Sequence, residues 1–148
     1  RKEFKMARPV NLSDIPFVPS DTTHLSELEI GDPSLVVDLG SGDGKVLKWF
    51  RDNYPNAELI GYELDEGRAT ASQNELANTA QILNENMWDA DLSEADVVYL
   101  YWMAHLMSGF YETFWNQLKA GAFVVSYQFA IPELTPIAQV EYFYIYQK

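Results

Sequence analysis

Apolar and polar positions along this chain switch repeatedly between two periods. Leu35–Leu39 is a short, nearly continuous apolar run, as expected of a strand buried on both faces. Val46, Leu47, Phe50 and Tyr54 then recur at helical spacing, and "YPN" ends that helix. "AELIGYE" (Ala57–Glu63) predicts a second strand, and Asp65 can cap a helix carrying Ala69, Leu76 and Ala80 on one face. "AQILNE" predicts a short third strand and "ADVVYLYW" (Ala95–Trp102) a strong fourth. Met107, Phe110, Tyr111, Phe114 and Leu118 form the clearest helical face. "KAGAFVVSYQF" holds a turn and a fifth strand, and the aromatic "EYFYIYQ" reads as an edge or antiparallel strand. Upstream, residues 1–15 have no periodicity and read as an arm. "IPFVPSD" is stiff and extended around its two prolines. Ser20 or Asp21 can cap a short helix to about Ile30, which "GDP" at Gly31–Pro33 stops.

Alternating strands and helices predict an α/β domain over residues 16–148, with a mostly parallel sheet covered on both faces. Right-handed crossovers require the strand order to reverse once, beside the first strand. Ligands of such sheets bind at the carboxyl ends of the strands near that reversal. Five loops then surround one crevice: Gly40–Gly44, Glu63–Leu64, Asn86–Trp88, Tyr101–Trp102 and Tyr127–Phe129.

Composition narrows the partners. The chain has 148 residues, enough for one core, and no cysteine, so disulfides and thiolate metal sites are excluded. No metal site is expected from the two separated histidines, His24 and His105. There is no apolar run of membrane-spanning length and no signal-peptide pattern. The formal net charge is −12. Arg1, Lys2, Lys5 and Arg8 against Glu3 give the first eight residues +3, so the remainder carries −15. Such an acidic body repels a phosphate backbone, which argues against nucleic acid, and attracts cationic proteins. Acidity also serves solubility alone.

The chemistry concentrates in "VVDLGSGDGK" (Val36–Lys45). Its spacing is G-x-G-x-G. A dinucleotide fingerprint wants a small residue where Lys45 stands, and no G-K-[ST] makes it a P-loop. Asp38 and Asp43 add a Coulombic objection to any polyanion. A ligand with a positive end fits better. S-adenosylmethionine carries an ammonium, a sulfonium and no phosphate. Gly40, Ser41 and Gly42 would let backbone approach its tail, and the two aspartates would complement its charge. Glu63, at the end of the second strand, can accept hydrogen bonds from both ribose hydroxyls. NAD enzymes use an acid in the same way, so Glu63 alone does not choose the cofactor. Asn86 offers an amide to an adenine edge, with Met87 or Leu64 against the ring, and Trp88 completes that loop. Asn86 is equally a turn former.

Together these residues resemble class I S-adenosylmethionine-dependent methyltransferases. More narrowly, the chain resembles a small protein-lysine methyltransferase family. That family includes archaeal lysine methyltransferases, the mitochondrial enzymes acting on the ATP synthase c subunit and the ADP/ATP carrier, and bacterial relatives. The stretches that carry the resemblance are "PFVPS" (Pro16–Ser20), "VVDLGSGDGK", "IGYELD" (Ile60–Asp65), "DLSEADVVYLYW" (Asp91–Trp102) and "VVSYQFAIP" (Val124–Pro132). The resemblance implies a Rossmann-like, doubly wound sheet with an antiparallel last strand. It implies that Asp38, Gly40, Gly42 and Asp43 hold the methionine end, Glu63 the ribose and Asn86–Met87 the adenine. Phe17 and Ser20 would close over the cofactor. It also implies a lysine side chain of a protein as methyl acceptor. Many bacterial relatives carry a membrane helix just before this domain, and the basic residues 1–8 suit a cytoplasmic juxtamembrane segment. Membrane association through a segment upstream of Arg1, with a cytoplasmic location, is therefore an expectation.

The acceptor would arrive at aromatic residues after the fourth and fifth strands. Tyr101 and Tyr127 are the candidate catalytic residues, with Trp102 beside them as a further wall of a desolvated mouth; Phe129 could join them, but a place in the core is the favoured reading for it. A small-molecule methyltransferase of the same fold and a non-catalytic cofactor-binding domain are the alternatives. Three departures from the family pattern stand out. Gln128 occupies a place where archaeal members have an acid, the stretch from Ser20 to Leu35 is short, and no hairpin turn is visible between "IAQV" and "EYFYIYQ". The last implies a reduced sixth strand or missing residues.

Overall fold

The computed structural model describes residues 22–148; the basic arm, Phe17 and Ser20 lie outside the described residues. In chain order the elements are β1 (Leu35–Leu39), α1 (Lys45–Asn53), β2 (Glu58–Tyr62), α2 (Glu66–Glu75), β3 (Gln81–Leu83), β4 (Val97–Leu100), α3 (Met107–Phe114), β5 (Phe123–Tyr127), β6 (Ala138–Val140) and β7 (Phe143–Gln147). They form a seven-stranded sheet of order β3-β2-β1-β4-β5-β7-β6. Strands β1 to β5 are parallel, β7 runs antiparallel to β5, and β6 antiparallel to β7. The order reverses beside β1, as the Rossmann-like expectation requires.

Strand alternation explains the two cores. Val37, Leu39, Val98 and Leu100 turn to one face and pack with Phe110 and Phe114 of α3. Val36, Leu59, Tyr99 and Val125 turn to the other, against Leu47 and Phe50 of α1, Leu76 just past α2, and Leu25, Leu28 and Ile30. Asp96 ties the amino ends of the sheet together. Its Oδ2 accepts the N–H groups of Ser34 and Leu35 at 2.8 and 2.9 Å, and Lys119 Nζ lies 2.8 Å from its Oδ1.

Several expectations change. Among the described residues before β1 the chain forms a 3-10 turn, Leu25–Glu27, followed by extended backbone, instead of a helix to Ile30. Asp65 does cap α2, its Oδ2 accepting Arg68 N–H at 2.8 Å. The helix ends before Leu76, and Ala80 belongs to the turn before β3. The chain also does have its hairpin. β6 and β7 are joined by Glu141 and Tyr142, and Glu141 alone takes the left-handed conformation, with φ 53°. A hairpin turn at this position normally announces itself by glycine or asparagine. Glutamate hid it. Of the two readings of "EYFYIYQ", the antiparallel one holds and the edge one does not: β7 lies inside the sheet, and β6 is the edge.

Candidate active site

The carboxyl ends of β1, β2, β4 and β5, with the β6–β7 hairpin tip, converge on one side of the sheet. The glycine loop is held there through its own amides. Gly40 and Ser41 N–H both donate to the Tyr62 carbonyl at 2.8 Å, and Gly42 N–H donates to Glu63 Oε1 at 2.8 Å. Gly44 N–H closes the turn on Ser41 O at 2.9 Å, and Lys45 N–H donates to Asp43 Oδ1 at 3.0 Å. A phosphate-binding loop works by aiming free amides at its ligand. Here Tyr62 and Glu63 take those of Gly40, Ser41 and Gly42. Gly40 has φ 100°, and a Cβ there would meet nothing within 4 Å, so its open side faces the crevice. At Gly44, φ 84°, a Cβ would lie 2.9 Å from Leu76 Cδ1 and 3.3 Å from Ser72 Cβ, so glycine is what lets α1 start against α2.

Carboxylates dominate what remains. Asp38 is buried at the end of β1, on the face shared with Tyr99. Burial first, then the charges of Glu63 and Asp43, push its carboxyl well above the ordinary carboxylate range. A cation placed among these three acids would relieve both effects; a phosphate would aggravate them. The residues present therefore fit S-adenosylmethionine on chemistry independent of any motif.

Glu63 is more committed than its sequence position suggests. Besides Gly42, its carboxylate accepts Asp65 N–H at 2.9 Å and Arg68 Nη2 at 3.3 Å, both on Oε2. A carboxylate offers about four lone-pair sites. About one is left, so two ribose hydroxyls can be accepted only if Arg68 yields its long bond. Arg68 was not among the expected residues. Its signal was present, since it stands three residues after the Asp65 cap, in the first turn of α2.

The loop after β3 divides its work. Asn86 Oδ1 accepts Trp88 N–H at 3.0 Å and caps the 3-10 turn Met87–Asp89, a bond that does not use its amide NH2. Met87 and Leu64 are half-buried beside it. Trp88 itself is a correction: its ring is core, 4.9 Å from Trp102 and stacked on Phe114, and does not line the crevice. Asn84, unremarked in the sequence, donates from Nδ2 to the carbonyls of Glu63 and Leu64 at 2.9 Å and fixes the end of β2.

The expected aromatic mouth splits across the sheet. Tyr101 and Tyr127 share the α1 and α2 face and meet edge to face at 4.8 Å. Trp102 is buried on the opposite face, its Nε1–H donating to Leu39 O at 2.9 Å just before the glycine loop. Phe129 packs toward that same opposite core. Trp102 therefore supports the loop from beneath, and the mouth belongs to the tyrosines. Tyr127 also contacts Phe143 at 5.0 Å and Tyr142 at 6.4 Å, and Tyr142, on the hairpin tip, is 63% exposed. A separate cavity of about 580 Å³ lies at the amino ends of β2 and β3, lined by Arg51, Glu58, Asn78 and Gln81, far from these groups.

Comparison with known proteins follows this geometry. Residues 38–138, about two thirds of the chain, match the family model of the ANTKMT methyltransferase domain. A protein-lysine N-methyltransferase of Saccharolobus islandicus (strain REY15A) is 25% identical over 131 residues, spanning 82% of this chain and 81% of that protein. The structure of an RNA methyltransferase from Salinibacter ruber in complex with S-adenosyl-L-homocysteine superposes with a TM-score of 0.76 at 24% identity. It covers 88% of this chain and 93% of that one. StiE O-MT residues 942–1257 superpose with a TM-score of 0.60 at 17% identity, covering 71% and 40%. The two solved structures establish the fold, and the family match agrees with the resemblance drawn from the motifs.

Proposed function

Because the chain belongs to the ANTKMT methyltransferase domain family, we propose that it transfers the methyl group of S-adenosylmethionine to the side-chain amine of a lysine in a protein. The observation that carries this reading is the glycine loop, whose Gly40, Ser41 and Gly42 amides are engaged while buried Asp38 and Glu63 and the exposed Asp43 gather beside it. That arrangement accepts a cation and rejects a pyrophosphate. Asp38 and Asp43 would face the methionine end, Glu63 the ribose, and the Asn86 amide the adenine, with Met87 and Leu64 against the ring.

When bound, S-adenosylmethionine supplies an electrophilic methyl group on a good leaving sulfur. The chain's own part is mostly alignment and exclusion of water. A lysine has an ordinary pKa near 10.4 and must present a lone pair, so it has to shed its proton to solvent before attack. The half-buried faces of Tyr101 and Tyr127 favour the uncharged form by desolvation. With the cofactor bound, Tyr101 and Tyr127 would hold the acceptor nitrogen with its lone pair toward that methyl group; the electron pair of the broken C–S bond would stay on sulfur, and the surplus proton on nitrogen would pass to water.

A protein acceptor is favoured over RNA by charge. The body beyond residue 8 carries −15 and would repel a phosphate backbone at the mouth. The relative from Saccharolobus islandicus, named as a protein-lysine N-methyltransferase, points the same way. The test is incubation of the full chain with cell extract and methyl-labelled donor, then acid hydrolysis and chromatography of the labelled fraction. Label in methyl-lysine is expected. Label in nucleosides or in small molecules would refute the reading.

A further inference from the structure

Gln128 follows the last residue of β5 and leaves extended backbone abruptly, with φ 76° in the left-handed region. A residue with a Cβ holds such a conformation only where its surroundings over-determine it, and these sites cluster where function needs them. Three contacts do so here. Gln128 N–H donates to Tyr142 O at 2.6 Å, across to the hairpin tip. Ser126 Oγ donates to Phe129 O at 2.6 Å and closes the bend behind it. The Tyr101 hydroxyl donates to Gln128 Oε1 at 3.0 Å, which fixes the side-chain amide as well as the backbone. The strained residue is exposed, and it stands between the two tyrosines of the mouth and the hairpin.

We infer that Gln128 receives the acceptor amine in its uncharged form, its Oε1 accepting an amine N–H with the Tyr101 oxygen as the second acceptor. This rests on the lysine reading above. With the Tyr101 hydrogen on it, Oε1 keeps a second lone pair, and the Tyr101 oxygen keeps its own acceptor capacity. Both acceptors are neutral, and that is the specificity. A carboxylate in this place, such as the archaeal members carry, would take the amine as an ammonium and raise its pKa, so that the proton would have to leave after docking instead of before it. A neutral amide grips the N–H groups without favouring the cation. The charged groups nearby are otherwise engaged. Glu141, on the hairpin tip, lies 3.9 Å from His24 Nε2, and Glu27 is bonded to the other ring nitrogen. Among the described residues the other titratable groups on β4, β5 and the hairpin are Tyr99 and Tyr101 on and after β4, Tyr127 on β5, Tyr142 on the hairpin tip and Tyr144 and Tyr146 on β7, with the acids Asp38, Asp43 and Glu63 at the glycine loop.

The test is binding, not turnover. The full chain, saturated with S-adenosylhomocysteine, is titrated with Nα-acetyl-lysine methylamide at several pH values while the Gln128 side-chain amide resonances are followed. A ligand taken only as the free amine tightens about tenfold per pH unit below its pKa near 10.4. That slope is expected of the native chain. Gln128→Glu should bind the ammonium instead, with a dissociation constant nearly flat in pH. Gln128→Gly relieves the left-handed strain, so it should melt no lower than the native chain yet bind the probe roughly fivefold or more weakly, as a lost hydrogen bond implies. Equal slopes in the native and Gln128→Glu proteins, unchanged affinity in Gln128→Gly, or no probe-induced shift at Gln128 would each overturn the inference. Methyl label on lysine alongside any of those results would leave the lysine reading standing without Gln128. Label elsewhere, with the slopes as expected, would sink the lysine reading by itself.

Discussion

Gly61 couples the centre of the sheet to the cofactor loop, and replacing it with alanine tests that coupling. A Cβ on Gly61 would lie 2.7 Å from Ser41 Oγ, 2.8 Å from Ser41 Cβ and 2.8 Å from Leu47 Cδ1, all well short of the 3.4 Å at which ordinary contact begins. Two of the three atoms belong to the glycine loop, whose Ser41 amide is fixed to Tyr62 O at 2.8 Å. Leu47 is fully buried on α1. Overpacking of this kind costs about 1–3 kcal/mol. The stiffer unfolded chain of the alanine variant returns roughly 0.4–1 kcal/mol of that. The net loss, about 1–2 kcal/mol, corresponds to a melting point lower by roughly 2–8 °C for a domain of this size. The loop should lift with Ser41, so affinity for S-adenosylhomocysteine should fall as well. Ser41→Gly removes both loop atoms, and it breaks no side-chain hydrogen bond among the described residues, where Ser41 Oγ is buried without a partner. The double variant leaves only Leu47 Cδ1, the far end of a rotatable side chain. Melting curves and calorimetric titrations of the four proteins form a double-mutant cycle, and a favourable coupling of about 1 kcal/mol is expected between the two sites. If the double variant lost the sum of the two single losses, the contact between Gly61 and the loop would not be what limits position 61, and the reasoning would fail.

Three other outcomes follow from the same geometry. Asp38 is raised in the folded chain by burial, Glu63 and Asp43, so the fold binds its proton more tightly than the unfolded chain does. Stability should then fall as pH rises from the ordinary carboxylate value through the raised one; Asp38→Asn should flatten that slope in melts across pH, melt higher near neutrality, and bind S-adenosylmethionine roughly tenfold or more weakly in calorimetry. For Asp96, burial opposes the charge, but the Lys119 hydrogen bond and the Leu35 and Ser34 amides outweigh it and hold the carboxyl below its ordinary value. Its contribution is present above that value and lost as pH falls through the lowered one, so Asp96→Ala should cost about 2 kcal/mol near neutrality and much less in acid, as denaturant titrations at both pH values would record. Trp102→Phe keeps the ring but leaves Leu39 O without its buried donor, at a cost of about 1–2 kcal/mol in the same titrations, with weaker cofactor affinity because the lost bond sits just before Gly40.

The parts of the fold that could be read from the chain were those governed by one local rule. Leu35–Leu39 is apolar at nearly every position because both faces of β1 are covered, and the strand occupies those residues. Asp65 caps α2 because its carboxylate reaches Arg68 N–H from outside the helix. The site was less legible where contacts cross the sheet. Nothing in "YLYW" says which aromatic points where until the pleat is known. Once Tyr99 is assigned to the α1 and α2 face, Tyr101 must follow it, and Trp102 must turn to the other core. The hairpin escaped because Glu141 occupies a turn position that glycine usually marks. Arg68 and Asn84 escaped because their partners, Glu63 and the backbone after it, become neighbours only when β2, α2 and β3 are docked.

The strand–turn–helix at Gly40–Gly44 is the same local geometry that serves phosphate binders, and what separates the two outcomes lies on β2, not in the loop. A glycine turn opening a helix provides several amides, and their destination decides the sign of the ligand. If the neighbouring strand leaves them free, they and the helix dipole collect an anion. Here the Tyr62 carbonyl takes two of them and Glu63 takes a third. With those amides satisfied internally, no bound anion adds its charge to those of Asp38, Glu63 and Asp43. On the proposed reading Glu63 would act twice: it removes one of the donors that would recruit phosphate, and it keeps about one lone-pair site for a sugar hydroxyl. Its replacement by a residue that could not reach Gly42 would not merely weaken a sugar contact. It would return an amide to the loop and begin to convert a cation site into an anion site, with Asp38 as the remaining obstacle.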